Sequence, residues 1–367
     1  MKSNVQGGIL IMGRKYPCLE VNLSKVTHNT EVISKLCREL DITIAGVSKV
    51  YCAEKPIVEA MLKGGIELIA DSRIENLVKL EEVKCKKMLL RLAMESEADL
   101  VVKHADISLN SELDTIKMLS SEAKAQNKEH GIILMVDLGD LREGVLETEV
   151  IDIAREILNL ENISLLGIGT NLTCYGGVIP DEDNLGTLVK IKEQIKEQLG
   201  HELEIVSGGN SSSLYLALNG RMPKGINQLR IGEAIVLGRE TAYGEDVPGC
   251  FRDCFIIKGE IVEIKYKPSV PKGKIGMDAF GKTPHFEDRG IIKRAIVALG
   301  RQDINNDGLF PLDNNIEVLG ASSDHLILDI THSEKDYKVG EVVEFNVDYG
   351  CLLKSMTSPY IKKVFIE

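Results

Sequence analysis

Lys49 closes a short apolar run, Ile44-Ala45-Gly46-Val47-Ser48-Lys49-Val50, of a kind suited to a buried strand. An ammonium is costly to bury, so a lysine in that position either stands at a rim in water or is kept there for its amine. A second stretch with chemistry in it is Ser207-Gly208-Gly209-Asn210-Ser211-Ser212-Ser213, where hydroxyls and backbone N–H groups open a helical turn and could hold a phosphate. The pair Gly232-Glu233 closes another strand-like run in the same manner. Taken one at a time these are ordinary features, a rim lysine and two turns. Together they require a fold that delivers the ends of several strands to one face.

The order of elements describes such a fold. Cys18 to Leu23 alternates as a half-buried strand, and Ser24 is placed to cap a helix running to about Leu40. After the lysine strand, Ala53 to Lys63 reads as a helix stopped by Gly64-Gly65. Further strands are expected at 67–72, 87–92, 106–110, 132–137, 164–170, 204–209 and 228–232, most of them followed by a helix-length segment. Counted with the lysine strand, eight βα units in so short a chain fit a (β/α)8 TIM barrel better than an open doubly wound sheet. In that fold the C-terminal rim carries the chemistry, and the loops after strands seven and eight commonly hold a phosphate. From about Phe251 the helices stop, and short strands separated by Gly- and Pro-containing turns predict an all-β C-terminal domain. The expected organisation is an N-terminal extension over 1–15, a barrel over 16–250 and the β domain over 251–367.

The 367 residues, 44% hydrophobic and 27% charged, are those of a globular protein large enough for two domains. A net charge of −12 without any Lys/Arg-rich block speaks against nucleic acid and anionic membranes as partners and is compatible with a cationic substrate. The eight cysteines form no CxxC pair, so neither a metal site nor a disulfide framework is indicated, and a reducing cytoplasmic setting is expected. The apolar patch Gly8 to Met12 is too short for a signal-peptide core, and Met12 could itself be the start.

A lysine and a phosphate cradle on one barrel rim suggest a Schiff base to pyridoxal 5′-phosphate. The VSK strand, the run Asp137-Leu138-Gly139-Asp140-Leu141-Arg142-Glu143-Gly144, the Ser207 loop, the Leu229-Arg230-Ile231-Gly232 strand and a C-terminal β domain together resemble the alanine-racemase-like family of fold type III. The phrases Ile69-Ala70-Asp71-Ser72-Arg73, Asn171 to Gly176, Gly238 to Asp246 and Gly320 to His325 are most similar to its members that act on basic amino acids, ornithine foremost. The likeness covers the chain from Lys15 onward. It implies Lys49 as the Schiff-base lysine, Arg230 as partner of the pyridine nitrogen, and Arg142 near the substrate carboxylate. It further implies phosphate contacts from Ser211, from the backbone of Gly232 and Glu233, and from Tyr349, with Asn171 and Asn210 beside the cofactor.

An arginine can only donate, so it leaves the ring nitrogen without a proton and makes the ring a weaker electron sink. That favours racemisation over the fold-III diamino-acid decarboxylases, which carry an acidic residue at that position. The small single-domain proteins that bind this cofactor without catalysis share the VSK strand but lack a β domain. Two departures from the family pattern stand out. Asn171 occupies the place of a histidine, and Phe280-Gly281 that of the tyrosine-glycine pair whose tyrosine is the second base. A phenyl ring carries no proton, so Asp278, His285, Asp324 and His325 become the candidates. The resemblance also implies a homodimer in which the β domain of one subunit completes the site of the other.

Overall fold

The computed structural model describes residues 16–367. The expected extension over 1–15, and the alternative start at Met12, lie outside the described residues. Among the described residues sixteen strands occur in chain order: β1 Cys18–Asn22, β2 Thr43–Val47, β3 Leu68–Asp71, β4 Lys86–Leu89, β5 Ile107–Asn110, β6 His130–Met135, β7 Ile163–Gly169, β8 Ile205–Ser207, β9 Gln228–Ile231, β10 Phe255–Pro268, β11 Ile291–Val297, β12 Leu309–Pro311, β13 Glu317–Ala321, β14 Leu326–Asp329, β15 Val342–Val347 and β16 Lys362–Ile366.

Strands β2 to β9 form a closed parallel barrel. The ring shuts where β2 pairs with β9, aligning Ala45 with Arg230 and Gly46 with Ile231. These strands are short and apolar because both of their faces are covered. Alternate residues of one face, including Ala45, Val47, Ile107, Leu109, Ile133 and Met135, pack into a single buried cluster. The other face meets the helices. A Cβ on Gly46 would lie 2.8 Å from Ile66 Cδ1 and 2.9 Å from Met61 Cε, so glycine lets the ends of these two side chains rest directly on β2. The helix before the lysine strand, Leu23–Arg38, is capped by the Asn22 side chain rather than by Ser24, and the next spans Lys55–Lys63.

The second unit is an antiparallel sheet with the order β12-β15-β10-β11-β14-β13. Its long strand β10 also pairs with β1, and β1 pairs with β16. The first strand therefore belongs to this sheet, although the barrel was expected to begin at residue 16. Its alternating burial suited either assignment, and its partners lie more than two hundred residues away. The unit also carries one helix that the sequence reading lacked, Tyr349–Thr357, capped by the Asp348 side chain. Among the described residues no helix is long and apolar enough to cross a membrane.

Candidate active site

Lys49 follows β2 directly and opens the 3-10 turn Lys49–Tyr51. Its side chain is exposed, and no described residue holds its amine. The turn itself is fixed from the next strand. Ser48 donates its backbone N–H to Ala70 at 2.9 Å and its hydroxyl to Asp71 at 2.6 Å. Asp71 is fully buried, and burial pushes its carboxyl above the ordinary range even though Ser48, Arg73 and Asn76 all donate to it. The chain leaves the turn through two left-handed residues, Cys52 (φ 54°) and Ala53 (φ 53°). Non-glycine residues in that region are strained by about 1–2 kcal/mol each. The hydrogen bond from Ala53 N–H to Ser48 O, at 3.2 Å, closes the turn around Lys49.

The two expected phosphate stretches meet at this strand end. Gly232 packs so closely on β2 that a Cβ there would sit 3.0 Å from Val47 Cβ. Ala234 N–H donates to Ser211 Oγ at 3.2 Å, tying the turn after β9 to the loop after β8. Arg230 N–H donates to Gly209 O at 2.9 Å, and Gly209 has the φ of +108° that favours glycine. The Ser212 hydroxyl is buried and has no hydrogen-bond partner among the described residues. Glu233 is drawn to the side by Arg239 at 3.0 Å.

Arg230 is the centre of a polar network inside the barrel mouth. It is 4% exposed, and its guanidinium donates to Ser207 Oγ, to Thr170 O at 2.6 Å and to Asn171 Oδ1 at 3.5 Å. No described carboxylate forms an ion pair with it. Burial pushes it down to about 10, so it remains a cation at neutral pH. Asn210 donates to Asn171 Oδ1 at 3.1 Å and to Leu172 O at 2.9 Å, and Asn171 donates to Cys174 Sγ at 3.0 Å. The loop that carries Asn171 to Gly176 is held by Asp140, buried to 1%, which accepts from Tyr175 N–H at 2.9 Å and from Cys174 and Val178. A Cβ on Gly176 would meet Asp140 O at 2.7 Å, so this loop closes only around glycine.

Arg142 lies on the same loop as Asp140 and is gripped by both oxygens of Glu143. Burial works to lower the Arg142 guanidinium, and Glu143 more than offsets it, leaving the group above its ordinary value. Glu143 also stands first among the charges that act on Arg230. Lys49, Arg142, Asn171, Asn210, Ser211, Arg230 and Gly232 thus share one rim, linked by contacts that run from β2 through β9 and β8 to β7. Asp71, Asp140, Glu143 and Thr170 were not foreseen as parts of it, and Ser207, expected in the phosphate stretch, instead accepts from Arg230.

The remaining candidates belong to the sheet unit. Asp278 caps a turn by accepting from Phe280 N–H and Lys282 N–H at 2.9 Å each, and these bonds hold its carboxyl below the usual range. Phe280 is half exposed, with the Arg301 guanidinium 4.4 Å above its ring. Asp324 lines a cavity of about 310 Å³ with Gln302, Asp303 and Tyr360. His325 sits in the adjoining turn, its N–H donated to Ser322 Oγ at 3.2 Å. His285 is exposed. Tyr349 begins the helix behind the Asp348 cap. Asp324 and His325 are adjacent in the chain, and Asp278 lies in a separate turn. Among the described residues there is no cluster of His, Cys, Asp and Glu that could hold a metal ion.

Residues 21–240 match the family described as alanine racemase, N-terminal domain. The chain is 52% identical over 349 residues to the ornithine racemase of Acetoanaerobium sticklandii, covering 95% of this chain and 99% of that one. It is 44% identical over 352 residues to the lysine racemase of Thermotoga maritima, covering 95% and 98%. Among solved structures, an alanine racemase of Clostridium difficile 630 superimposes with a TM-score of 0.74 at 20% identity over 96% of each chain. A D-threonine aldolase of Filomicrobium marinum does so with a TM-score of 0.68 at 13% identity, covering 93% of this chain and 89% of that one. Likenesses at such low identity speak for the fold alone.

Proposed function

The chain belongs to the alanine racemase family, and on that premise we propose that it interconverts the L- and D-forms of a basic amino acid, ornithine, with pyridoxal 5′-phosphate as cofactor. The observation that carries this reading is the pairing, on adjacent strands, of an amine held by no described residue with a buried guanidinium that has no carboxylate partner among them.

The residues present fit that cofactor. Buried hydroxyls without partners are uncommon, because each costs about 1–3 kcal/mol. The Ser212 and Thr170 hydroxyls are two such groups, one on each of two neighbouring rim loops. Ser211 and Ser212 with the Gly232 turn would hold the phosphate, Lys49 the aldehyde carbon, and Arg230 the ring nitrogen. Tyr349 is assigned to the phosphate by family likeness. When bound, the cofactor withdraws electrons from the substrate Cα and so acidifies its C–H bond.

The chain does the rest. Arg142 binds and orients the α-carboxylate, which sets the Cα–H bond toward Lys49. Lys49 takes or returns the Cα proton on its own face. Arg230, which donates and never accepts, leaves the ring nitrogen unprotonated, so negative charge stays near Cα and reprotonation there is favoured over other bond cleavage. Ser207 and Thr170 fix the guanidinium, and Asn210 fixes Asn171 beside it. A second acid is needed on the opposite face, and we assign it to the sheet unit, with Asp278, Asp324 and His325 as the residues to test. In this reading the protein works as a homodimer.

Incubation with L-ornithine in deuterated water tests the whole reading. Deuterium should enter at Cα while optical rotation decays to zero. Exchange without loss of rotation, or release of carbon dioxide, would replace racemisation by another reaction.

A further inference from the structure

A substrate with a cationic side chain needs a carboxylate at the site, and most of the acidic groups on the barrel rim are already committed. Asp140 spends both oxygens on the backbone N–H groups of the Cys174 to Val178 loop. Glu240 is fully buried and satisfied by Ala242, Tyr243 and Glu245 N–H. Glu233 is held by Arg239. Asp71 is sealed under Ser48. Glu143 differs from all of these. Its side chain is 16% exposed, and it is paired with Arg142, the very group that the substrate carboxylate is to occupy.

We propose that Glu143 receives the side-chain ammonium of the substrate and that the Arg142–Glu143 ion pair exchanges partners when a diamino acid binds. This inference rests on the reading of the chain as a racemase that binds its substrate through Arg142. Before binding, one guanidinium neutralises one carboxylate. A diamino acid brings both missing charges, its α-carboxylate for Arg142 and its ammonium for Glu143, so each charge keeps an opposite partner. An amino acid with an apolar side chain brings only the carboxylate. It then either competes with Glu143 for Arg142 or strands Glu143 in a largely covered position, and a covered charge without a partner is strongly disfavoured. Selection for a basic side chain thus follows from a self-paired arginine. Gly144, next in the chain, ties this loop to the end of β6: it has a φ of +140° and packs against the backbone of Asp137, leaving no room for a Cβ.

L-Norvaline, which has the ornithine carbon chain without the terminal amine, is the matched probe. Apparent dissociation constants for both amino acids are read from the visible absorption of the bound cofactor, and kcat/KM from Cα deuterium exchange, in wild type and in Glu143→Gln. Wild type should prefer ornithine. Glu143→Gln should weaken ornithine by roughly tenfold or more, while norvaline binds as before or more tightly because Arg142 has lost its internal competitor. Glu143→Asp, which keeps the charge, should retain most of the preference, and it serves as the second variant should Glu143→Gln fail to take up cofactor. An unchanged ornithine-to-norvaline ratio in Glu143→Gln, or a lost preference in Glu143→Asp, overturns the assignment while the racemase reading stands. A wild type that turns over neither amino acid overturns both.

Discussion

The Ser48 hydroxyl donates to the buried Asp71 carboxylate at 2.6 Å, so the residue immediately before Lys49 is anchored to the end of the neighbouring strand. Asp71 accepts Ser48 through one oxygen and Arg73 N–H and Asn76 Nδ2 through the other, so three donors share one carboxylate. Asp71→Ala leaves those donors unsatisfied and should cost about 1–3 kcal/mol in urea unfolding. Asp71→Asn keeps an acceptor for two of them, and the Ser48 hydroxyl can turn to accept the new amide, so its cost should be smaller. Because the anchor acts on the base of Lys49 rather than on the substrate, both variants should lower kcat more than they change KM. A reduced affinity with kcat intact would show that Asp71 only stabilises the fold.

Lys49 should carry the cofactor covalently. Borohydride reduction of the loaded protein followed by peptide mapping is expected to place the pyridoxyl group on Lys49, and Lys49→Ala should bind the cofactor without that label. A label on any other lysine removes Lys49 from its role.

Arg230→Glu places an acid where a buried donor now stands, and a carboxyl group there can share a proton with the ring nitrogen. Racemisation should fall on the order of a hundredfold, and a long-wavelength absorption band should appear with substrate. Normal turnover without such a band would dissociate Arg230 from the electronics of the site.

His130 supplies a pH dependence unrelated to catalysis. It is 1% exposed, its ring bonded to Ser108 Oγ at 2.7 Å, and burial pushes it down to about 4. The unfolded chain titrates near the ordinary histidine value of about 6.5 and so binds a proton that the folded chain refuses between those two values. Stability from this group is complete above about pH 6.5 and falls as the pH drops toward 4, by about 2 kcal/mol between pH 7.5 and pH 5. Urea midpoints at those two pH values should diverge less in His130→Gln than in wild type. Equal divergence would mean that carboxylates alone set the acid sensitivity.

Much of this protein was legible in the chain itself. The eight barrel strands are short apolar runs that end in small or polar residues, and burial on both faces imposes that pattern locally, so each announces itself without its neighbours. Lys49, Ser211 and Gly232 could be placed on one rim for the same reason: a closed parallel barrel sends every strand end to the same face. Arg230 was named by family resemblance alone. What tertiary structure alone decided are the pairings across long separations. Local periodicity says that β1 is a strand and is silent on whether it joins the barrel or, as it does, β10. Thr170 and Ser207 hold Arg230 across 60 and 23 residues, and Asp71 holds Ser48 across 23. Glu143 shows the limit most sharply. It is the next residue after Arg142, and in an irregular loop adjacency alone does not say that the two side chains meet; the folded loop brings both oxygens of Glu143 onto the Arg142 guanidinium.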